Sequence, residues 1–243
     1  MSLEKTVKKL SKPARKVLKL KYCGAVIVAA GSASRMGGID KVMEPVGGVP
    51  MVVKAVSAFQ ECPAVKEIVA VTRQDLLTEI AHLTMEYDKV KAVVVGGEDR
   101  AESVNNGLNA LSEKVKLAAV HDGARPLVTW ELIDRVVRAA NTYGGAVPGV
   151  PVKDTVKIAT GGLVQQTPDR KTLYAIQTPQ VFDFDLLRGA LQKAKLEELP
   201  ITDDCGAVEA LGFKVKLVEG DERNIKITTP LDLKVAAAYM EEA

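Results

Sequence analysis

The chain has 243 residues, of which 47% are hydrophobic and 26% charged, and these proportions are ordinary for a globular protein. They exclude a disordered or collagen-like chain, and an aromatic content of 4% argues against a surface that stacks single-stranded nucleic acid. With 33 basic and 31 acidic residues, the net charge of +2 provides no field that would favour nucleic-acid binding in general.

The charge is distributed unevenly along the chain. Residues 1–22 contain eight basic residues and one acid, which leaves 25 basic and 30 acidic residues downstream. We therefore expect a basic N-terminal tail over 1–22, solvated or partly disordered, followed by a single domain over 23–243. Docking of the tail to a membrane or a partner is the alternative, because its apolar residues recur at helical spacing. A net-acidic domain must hold any phosphate ligand with local cations.

Cysteine usage and hydropathy bear on the compartment. The three cysteines, Cys23, Cys62 and Cys205, are widely spaced, so the sequence predicts neither a zinc site nor a disulfide framework and favours a reducing, cytoplasmic location. The longest apolar run, around residues 25–30, is far shorter than the roughly 18 residues that a membrane span needs. We therefore expect no membrane-spanning segment. No signal peptide is recognisable either, because no apolar segment follows the basic start.

From Cys23 onwards, apolar strands alternate with helices. A continuous apolar run over 25–29 predicts a first strand covered on both faces, followed by a glycine-rich loop over 31–48. The pattern then predicts helices at 51–59, 75–87, 102–111 and 129–141, and strands at 67–72, 90–95, 117–121 and 145–150. This alternation predicts a Rossmann-like α/β fold, with a mainly parallel sheet flanked by helices and right-handed crossovers.

The alternation stops at Pro151. Segments 156–159 and 163–166 flank Gly161-Gly162, which is typical of a β-hairpin. A hairpin inserted into such a sheet predicts an arm over residues 151–172 that serves dimerisation. Helices at 184–195 and 205–211, a strand at 214–218 and a last helix at 231–240 complete the expected domain.

The loop after the first strand reads Ala29-Ala30-Gly31-Ser32-Ala33-Ser34-Arg35-Met36-Gly37, and it lies where open α/β sheets bind ligands. Glycine and small residues let backbone N–H groups approach phosphate oxygens, and Arg35 and Lys41 add two cations. The loop matches neither GxGxxG nor GxxxxGK[ST], which disfavours a dinucleotide oxidoreductase and excludes a Walker A P-loop. An ordinary glycine turn with solvated cations is the alternative.

Two further motifs follow the third and fourth strands. Gly96-Gly97-Glu98-Asp99-Arg100 opens a helix, so its N–H groups and the Ser103 hydroxyl could hold a base or a phosphate, although a simple capped loop fits equally well. In His121-Asp122-Gly123-Ala124-Arg125-Pro126, Asp122 is a natural Mg²⁺ ligand and Arg125 a candidate phosphate clamp. The chain has only two histidines, so we interpret His121 as a packed residue rather than a metal ligand.

Taken together, the ordered motifs resemble the 2-C-methyl-D-erythritol 4-phosphate cytidylyltransferase family. The resemblance runs from Gly24 to the C-terminus and rests on the glycine loop followed by Lys41, GGEDR with SV, HDGARP, PVKDT at 151–155, TPQ at 178–180, TDD at 202–204 and NIKITTP at 224–230. The family usually has Pro-Lys-Gln where this chain has Asp40-Lys41-Val42.

The resemblance implies a reaction of CTP with methylerythritol 4-phosphate that gives the CDP-alcohol and pyrophosphate, in non-mevalonate isoprenoid synthesis. It implies Mg²⁺ or another divalent cation as cofactor and a homodimer as the assembly. The implied residues are Arg35, Lys41 and Lys226 for catalysis; Ala30, Gly31, Gly97, Ser103 and Asp122 for CTP; Asp122 for the metal; and Arg125, Thr155, Arg170 and Thr202 for the acceptor. In the family, the residues matching Thr155 and Arg170 come from the partner subunit.

Two other functions stay open at this point. A cytidylyltransferase for another sugar-alcohol phosphate, such as ribitol 5-phosphate, shares several of the motifs, and an assay with both acceptors separates the two. A non-catalytic nucleotide-binding module on the same fold is disfavoured, because Arg35, Lys41, Asp122 and Lys226 are all present.

Overall fold

The computed structural model describes residues 19–31 and 42–241. In chain order the elements are β1 (Cys23–Val28), β2 (Pro45–Val46), β3 (Val49–Pro50), α1 (Met51–Glu61), β4 (Val65–Thr72), α2 (Leu77–Thr84), β5 (Val90–Val95), α3 (Arg100–Ala110), β6 (Leu117–Asp122), α4 (Trp130–Tyr143), β7 (Gly145–Pro151), β8 (Ile158–Thr160), β9 (Leu163–Gln166), β10 (Tyr174–Ile176), β11 (Gln180–Asp183), α5 (Phe184–Leu196), α6 (Asp204–Glu209), β12 (Lys216–Glu219) and α7 (Pro230–Glu241). None of the helices within these ranges is long and apolar enough to cross a membrane.

The main sheet has eight strands in the order β10-β7-β11-β6-β1-β4-β5, with β12 added to β7. β1 pairs in parallel with β4 and β6, and β4 pairs in parallel with β5. β11 runs antiparallel between β6 and β7. The predicted α/β fold with a mainly parallel sheet is therefore confirmed, and the parallel strands of its centre all end at one edge.

Helices cover both faces of this sheet. Successive residues of β1 belong to opposite faces, with Ile27 in one apolar cluster and Val26 in the other. Phe59 of α1 and Ile133 of α4 belong to the first cluster, and Leu108 of α3 belongs to the second. Burial on both faces explains the continuous apolar run that predicted this strand.

Most predicted elements lie within a few residues of the observed ones, and the exceptions have local causes. β10 and β11 were not predicted, because strands of three and four residues carry too few positions to show a period. The predicted helix at 75–87 is a 3₁₀ turn at Gln74–Leu76 followed by the shorter α2. The predicted loop over 31–48 contains β2, which pairs with β3 in a small hairpin.

The arm forms the predicted hairpin. β8 and β9 pair antiparallel around Gly161 and Gly162, whose φ angles of +59° and +80° require glycine-type turn residues. The hairpin is a separate two-stranded sheet, and Leu163 and Val164 are 70% and 60% exposed. Apolar side chains on an exposed hairpin are typical of a contact surface.

The last residues of the predicted tail pack on the domain. Leu20 contacts the first apolar cluster, and the Lys21 backbone N–H donates to Asn141 Oδ1 at 3.0 Å. The Tyr22 hydroxyl donates to Glu67 Oε2 at 3.3 Å, and the Tyr22 carbonyl accepts from Lys116 and Leu117. Residues 20–22 therefore contact the domain ahead of the predicted boundary, and the Tyr22 carbonyl continues the pairing of β1 with β6. The sequence pattern missed this because these contacts are made with residues far along the chain.

Candidate active site

A cavity of about 420 Å³ opens where the parallel strands end. Ala30 and Gly31 follow β1, Gly97 and Ser103 border the loop before α3, Asp122 ends β6, and Lys226 reaches in from the segment before α7. Ligands of open α/β sheets bind at this edge, because the loops after neighbouring parallel strands converge there.

Asp122 is the centre of charge in this cavity. Its carboxylate is 3.5 Å from Arg100 Nε, 3.9 Å from Arg125 Nε and 2.8 Å from Lys226 Nζ. The residue is only 8% exposed, and burial disfavours its charged form. The nearby cations, Arg100 foremost, outweigh burial and lower the pKa of Asp122 to about 2. Asp122 is therefore ionised at any physiological pH.

Arg100 joins Asp122 to a second carboxylate. Its Nη2 donates to Asp204 Oδ2 at 2.8 Å, and Asp204 is fully buried at the start of α6. Burial raises the pKa of Asp204 in spite of Arg100, and Asp204 Oδ1 has no hydrogen-bond partner among the described residues. Both residues belong to motifs, GGEDR and TDD, but these motifs predicted no role for either. Their contact spans 104 residues, so no local pattern could have revealed it.

The loop before α3 is held by its own side chains. Ser103 Oγ donates to the Asp99 carbonyl at 2.8 Å and accepts from the Gly97 N–H at 3.0 Å, while Asp99 caps the helix by accepting from Glu102 N. A Cβ at Gly96 would clash with Ala30 Cβ and Ser103 Oγ, so the close approach to the β1 loop needs glycine. Gly97 and Ser103 thus line the cavity, and the Gly97 N–H already donates to Ser103 Oγ.

His121 is a buried structural residue, as predicted. Asp122 N donates to Thr178 Oγ1 at 3.1 Å, the Thr178 hydroxyl lies 3.0 Å from His121 Nδ1, and His121 Nε2 lies 3.2 Å from the Arg125 carbonyl. A neutral ring that accepts at Nδ1 and donates at Nε2 satisfies all three bonds. Burial lowers the pKa of His121 to about 4, which agrees with that form.

Arg125 ties the β6 loop to the segment that carries Lys226. Its Nη1 donates to the Asn224 carbonyl at 2.7 Å, and Ala124 accepts from the Ile227 N–H at 2.8 Å. Arg125 Nε is buried and has no hydrogen-bond partner in the described ranges. That N–H lies 3.9 Å from Asp122 Oδ2, and Arg125 itself is not among the residues that line the cavity.

The donor set fits a divalent cation held by a single carboxylate. Within residues 19–31 and 42–241, no three His, Cys, Asp or Glu side chains are grouped to hold a metal ion. Asp122 is ionised and lines the cavity, and Mg²⁺ is commonly bound by one or two carboxylates together with phosphate oxygens and water. Such a cation would need the phosphates of a ligand to complete its coordination.

The structure brings together only part of the predicted site. Ala30, Gly31, Gly97, Ser103, Asp122 and Lys226 line the cavity. Thr202 lines a neighbouring cavity of about 40 Å³ beside Arg100, and Asp203 rather than Thr202 caps α6. Thr155 and Arg170 are exposed and line neither cavity; Arg170 Nη1 donates to the Lys153 carbonyl at 2.6 Å. Arg35 and Lys41 lie outside the described residues.

Curated relatives share most of this chain. A protein of Caldanaerobacter subterraneus subsp. tengcongensis named 2-C-methyl-D-erythritol 4-phosphate cytidylyltransferase is 45% identical over 90% of this chain and 98% of its own length. A protein of the same name from Geobacillus kaustophilus is 42% identical over 89% of this chain and 96% of its own.

Solved structures show the same similarity in three dimensions. The 4-diphosphocytidyl-2C-methyl-D-erythritol synthase of Anaerococcus prevotii superposes with a TM-score of 0.83 at 33% identity, covering 91% of this chain and 96% of its own. The 2-C-methyl-D-erythritol 4-phosphate cytidylyltransferase of Thermus thermophilus gives 0.73 at 33% identity, over 91% and 99%. Residues 23–242 match the profile of that enzyme family. The chain therefore belongs to the 2-C-methyl-D-erythritol 4-phosphate cytidylyltransferase family.

Proposed function

We propose that this chain is a CTP-dependent cytidylyltransferase that converts 2-C-methyl-D-erythritol 4-phosphate and CTP into 4-diphosphocytidyl-2-C-methyl-D-erythritol and pyrophosphate, a step of isoprenoid precursor synthesis. Family membership supports the reaction. The observation that carries it in this molecule is the ionised Asp122 beside Lys226, Arg100 and Arg125 in a cavity of about 420 Å³.

The chemistry needs positioning and charge stabilisation rather than a covalent intermediate. An oxygen of the acceptor phosphate attacks the α-phosphorus of CTP in line, a new phosphorus–oxygen bond forms, and the bond to the departing pyrophosphate breaks. Negative charge shifts towards the leaving pyrophosphate, so cations aimed at it lower the barrier. Lys226 lines the cavity beside Asp122, and its motif assigns it to the α-phosphate and the attacking phosphate. Arg35 and Lys41 are assigned to the triphosphate by theirs.

Asp122 is the residue that would hold Mg²⁺ or another divalent cation. When bound, such a cation neutralises charge on the triphosphate. Two cationic side chains hold the Asp122 carboxylate in place: Arg100 Nε lies 3.5 Å from Oδ1, and Lys226 Nζ contacts Oδ2. Ser103 and Gly97 shape the wall on which the base and ribose of CTP would rest.

A homodimer is part of this proposal. Arg170 and Thr155 are exposed on the arm side of the chain and do not line the Asp122 cavity. Leu163 and Val164 of the arm are also exposed, and so are Tyr174 and Ile176 of the edge strand β10. A two-fold partner would cover these apolar side chains and could place its arm over the neighbour's cavity.

We also propose a cytoplasmic location, which the three cysteines support. All three are buried and unpaired, as in proteins of a reducing compartment.

The decisive experiment measures pyrophosphate release with methylerythritol 4-phosphate and each of CTP, UTP, ATP and GTP. We expect release that depends on CTP and on the acceptor, and mass spectrometry of the product should give the CDP-alcohol. Faster turnover with ribitol 5-phosphate would instead identify the other acceptor class. No CTP-dependent release with either acceptor would favour a nucleotide-binding module without catalysis.

A further inference from the structure

The turn that follows Lys226 is held by one carboxylate oxygen. Asp232 Oδ2 accepts hydrogen bonds from Thr228 N at 2.8 Å, from Thr228 Oγ1 at 2.9 Å and from Thr229 N at 2.8 Å. Asp232 stands in the first turn of α7, three residues after Thr229. Hydrogen bonds to an ionised acceptor are stronger than neutral ones, so this contact fixes the backbone of both threonines.

Asp232 accepts hydrogen bonds from one residue more than a helix cap requires, because Thr228 precedes the cap residue Thr229. In a capping box, the residue three positions into the helix accepts from the N–H of the cap residue, and the cap side chain accepts in return. The bond to Thr229 N fits that role, and Thr229 Oγ1 accepts from Asp232 N at a long 3.4 Å. The two bonds that Thr228 donates lie outside this motif. They fix the backbone at a position two residues after Lys226.

Ile227, which lies between Lys226 and Thr228, is also fixed in place. Ile227 is fully buried in a cluster with Val46, Met51 and Ala236 of α7, and its N–H donates to Ala124. Lys226, by contrast, is 42% exposed and its Nζ lies 2.8 Å from Asp122 Oδ2. A long, half-exposed lysine has many rotamers available, so its direction depends on how firmly its backbone is held.

We propose that Asp232 is a positioning residue for Lys226: its carboxylate locks the Thr228–Thr229 turn, so that the lysine points into the cavity instead of solvent. Through this turn, the C-terminal helix α7 becomes a support of the reaction site, although Asp232 itself touches no substrate. The kinetic part of the inference rests on the proposed function, because it assigns Lys226 to the reacting phosphates.

The test compares Asp232→Ala with Thr229→Ala. Asp232→Ala should lower kcat by about 10- to 100-fold with a smaller change in KM for CTP, because a misaligned lysine loses its contacts in the transition state. Thr229→Ala is the matched control: it removes the side-chain cap of α7 but keeps the bonds that Thr228 donates to Asp232. It should lower the melting temperature and leave kcat unchanged. Asp232→Glu keeps a carboxylate on a longer side chain that can still accept from Thr228 N and Oγ1, so it should retain most of kcat.

A second readout does not depend on turnover. Lysines are acetylated with an N-hydroxysuccinimide ester, and the rate at each lysine is followed by mass spectrometry. Asp232→Ala should raise the rate at Lys226 several-fold, because its ammonium leaves Asp122, while the rates at Lys54 and Lys66 stay unchanged as internal references. Thr229→Ala should label as the wild type does.

The outcomes are distinguishable. If Asp232→Ala raises the labelling rate at Lys226 while the wild type shows no CTP-dependent release, the proposed function is overturned and the positioning role is supported. Folded Asp232→Ala with wild-type kcat and labelling would overturn the positioning role and leave the function intact. If Asp232→Ala does not fold, Thr228→Val takes its place; it removes the hydroxyl bond and should shift kcat and labelling in the same direction, and no shift would overturn the proposal.

Discussion

The cavity end and the arm of this molecule differ in burial and in how their side chains are paired. At the cavity, Asp122 and His121 are buried, and their hydrogen bonds and ion pairs are closed within one chain. On the arm, Leu163 and Val164 project into solvent, and Arg170 Nη1 donates to the nearby Lys153 carbonyl. Residues assigned to one reaction thus stand in very different surroundings.

The difference has a physical reason. Buried polar groups are costly unless they are satisfied, so a cavity with an ionised carboxylate must be built from pairs that the chain itself supplies. Exposed apolar side chains need no hydrogen-bond partner from the same chain. They become buried only when a second surface binds over them. We infer that the cavity around Asp122 is formed within one chain, whereas the acceptor half of the proposed site is completed by assembly.

Breaking the cavity should have the largest effect. Asp122→Asn keeps the shape of the side chain but removes the charge shared by Lys226, Arg100 and Arg125. We expect kcat/KM to fall by at least about 10³-fold, with a higher Mg²⁺ requirement. Pyrophosphate release measured over a range of Mg²⁺ concentrations checks this.

Asp134→Asn is the matched control for that measurement. Asp134 lies on α4 and pairs with Arg138 at 2.6 Å, outside the cavity, so its variant should retain normal turnover. Turnover close to wild type in Asp122→Asn at the usual Mg²⁺ concentration would exclude Asp122 as the metal ligand.

Exchange of subunits tests whether the arm serves a neighbour. Two inactive homodimers, Asp122→Asn and Arg170→Ala, are mixed and allowed to exchange. In a mixed dimer with a shared site, one site collects both lesions and the other collects none. Equal mixing makes half of the dimers mixed, so activity should return to about a quarter of the wild-type value.

The control for this experiment is proof of exchange, from mass spectrometry of tagged subunits. If Arg170 served its own chain, every site would keep one lesion and no activity would return. Exchange without recovery would therefore leave the arm as a dimerisation device and remove it from the reaction.

Local signals in the sequence were enough to predict much of the fold and of the cavity. The alternation of apolar strands and helices predicted the parallel centre of the sheet, and Gly161-Gly162 predicted the hairpin turn, because both depend on neighbouring residues. Thr129 caps α4 by accepting from Leu132 N, which is also a contact between near neighbours in the sequence. Asp122 was predictable because it follows a recognisable strand, and that position determines its place at the sheet edge.

Contacts between distant segments could not be predicted in this way. The pair formed by Arg100 and Asp204 depends on how α3 and α6 pack, and the bonds from Asp232 to Thr228 depend on a turn geometry that no period reveals. The strand β11 enters the sheet between β6 and β7 with only four residues. In each case the deciding partner is supplied by tertiary structure rather than by neighbouring sequence.

Acid should lower the free energy of unfolding by a moderate amount, because His121 is buried in its neutral form. Its pKa is about 4 in the fold against 6.5 ordinarily, because burial disfavours the charged ring although Asp122 attracts it. Between these values the unfolded chain binds a proton that the folded chain does not. The free energy of unfolding should therefore fall by roughly 3 kcal/mol as the pH drops from 6.5 to about 4.

Denaturant titrations of the wild type and His121→Gln at several pH values measure this contribution as a difference. The subtraction also removes the opposite effect of Asp204, whose pKa burial raises. His82→Gln, at an exposed position of α2, is the control and should keep the dependence that His121 causes. Equal slopes in the wild type and His121→Gln would contradict the prediction.

The smallest effects concern the N-terminal tail. Residues 1–18 of the predicted tail lie outside the described residues, and we expect their deletion to leave kcat and melting temperature unchanged. Deleting residues 1–22 also removes the packing of Leu20 and the Tyr22 carbonyl that accepts from Lys116 and the fully buried Leu117. It further removes the Tyr22 hydroxyl that donates to Glu67. The loss of apolar burial and of partners for two amides should cost about 1–3 kcal/mol of the free energy of unfolding. Calorimetry of both deletions decides the matter: equal melting temperatures would place the start of the domain at Cys23, whereas a lower value only for the longer deletion would place it at residue 19.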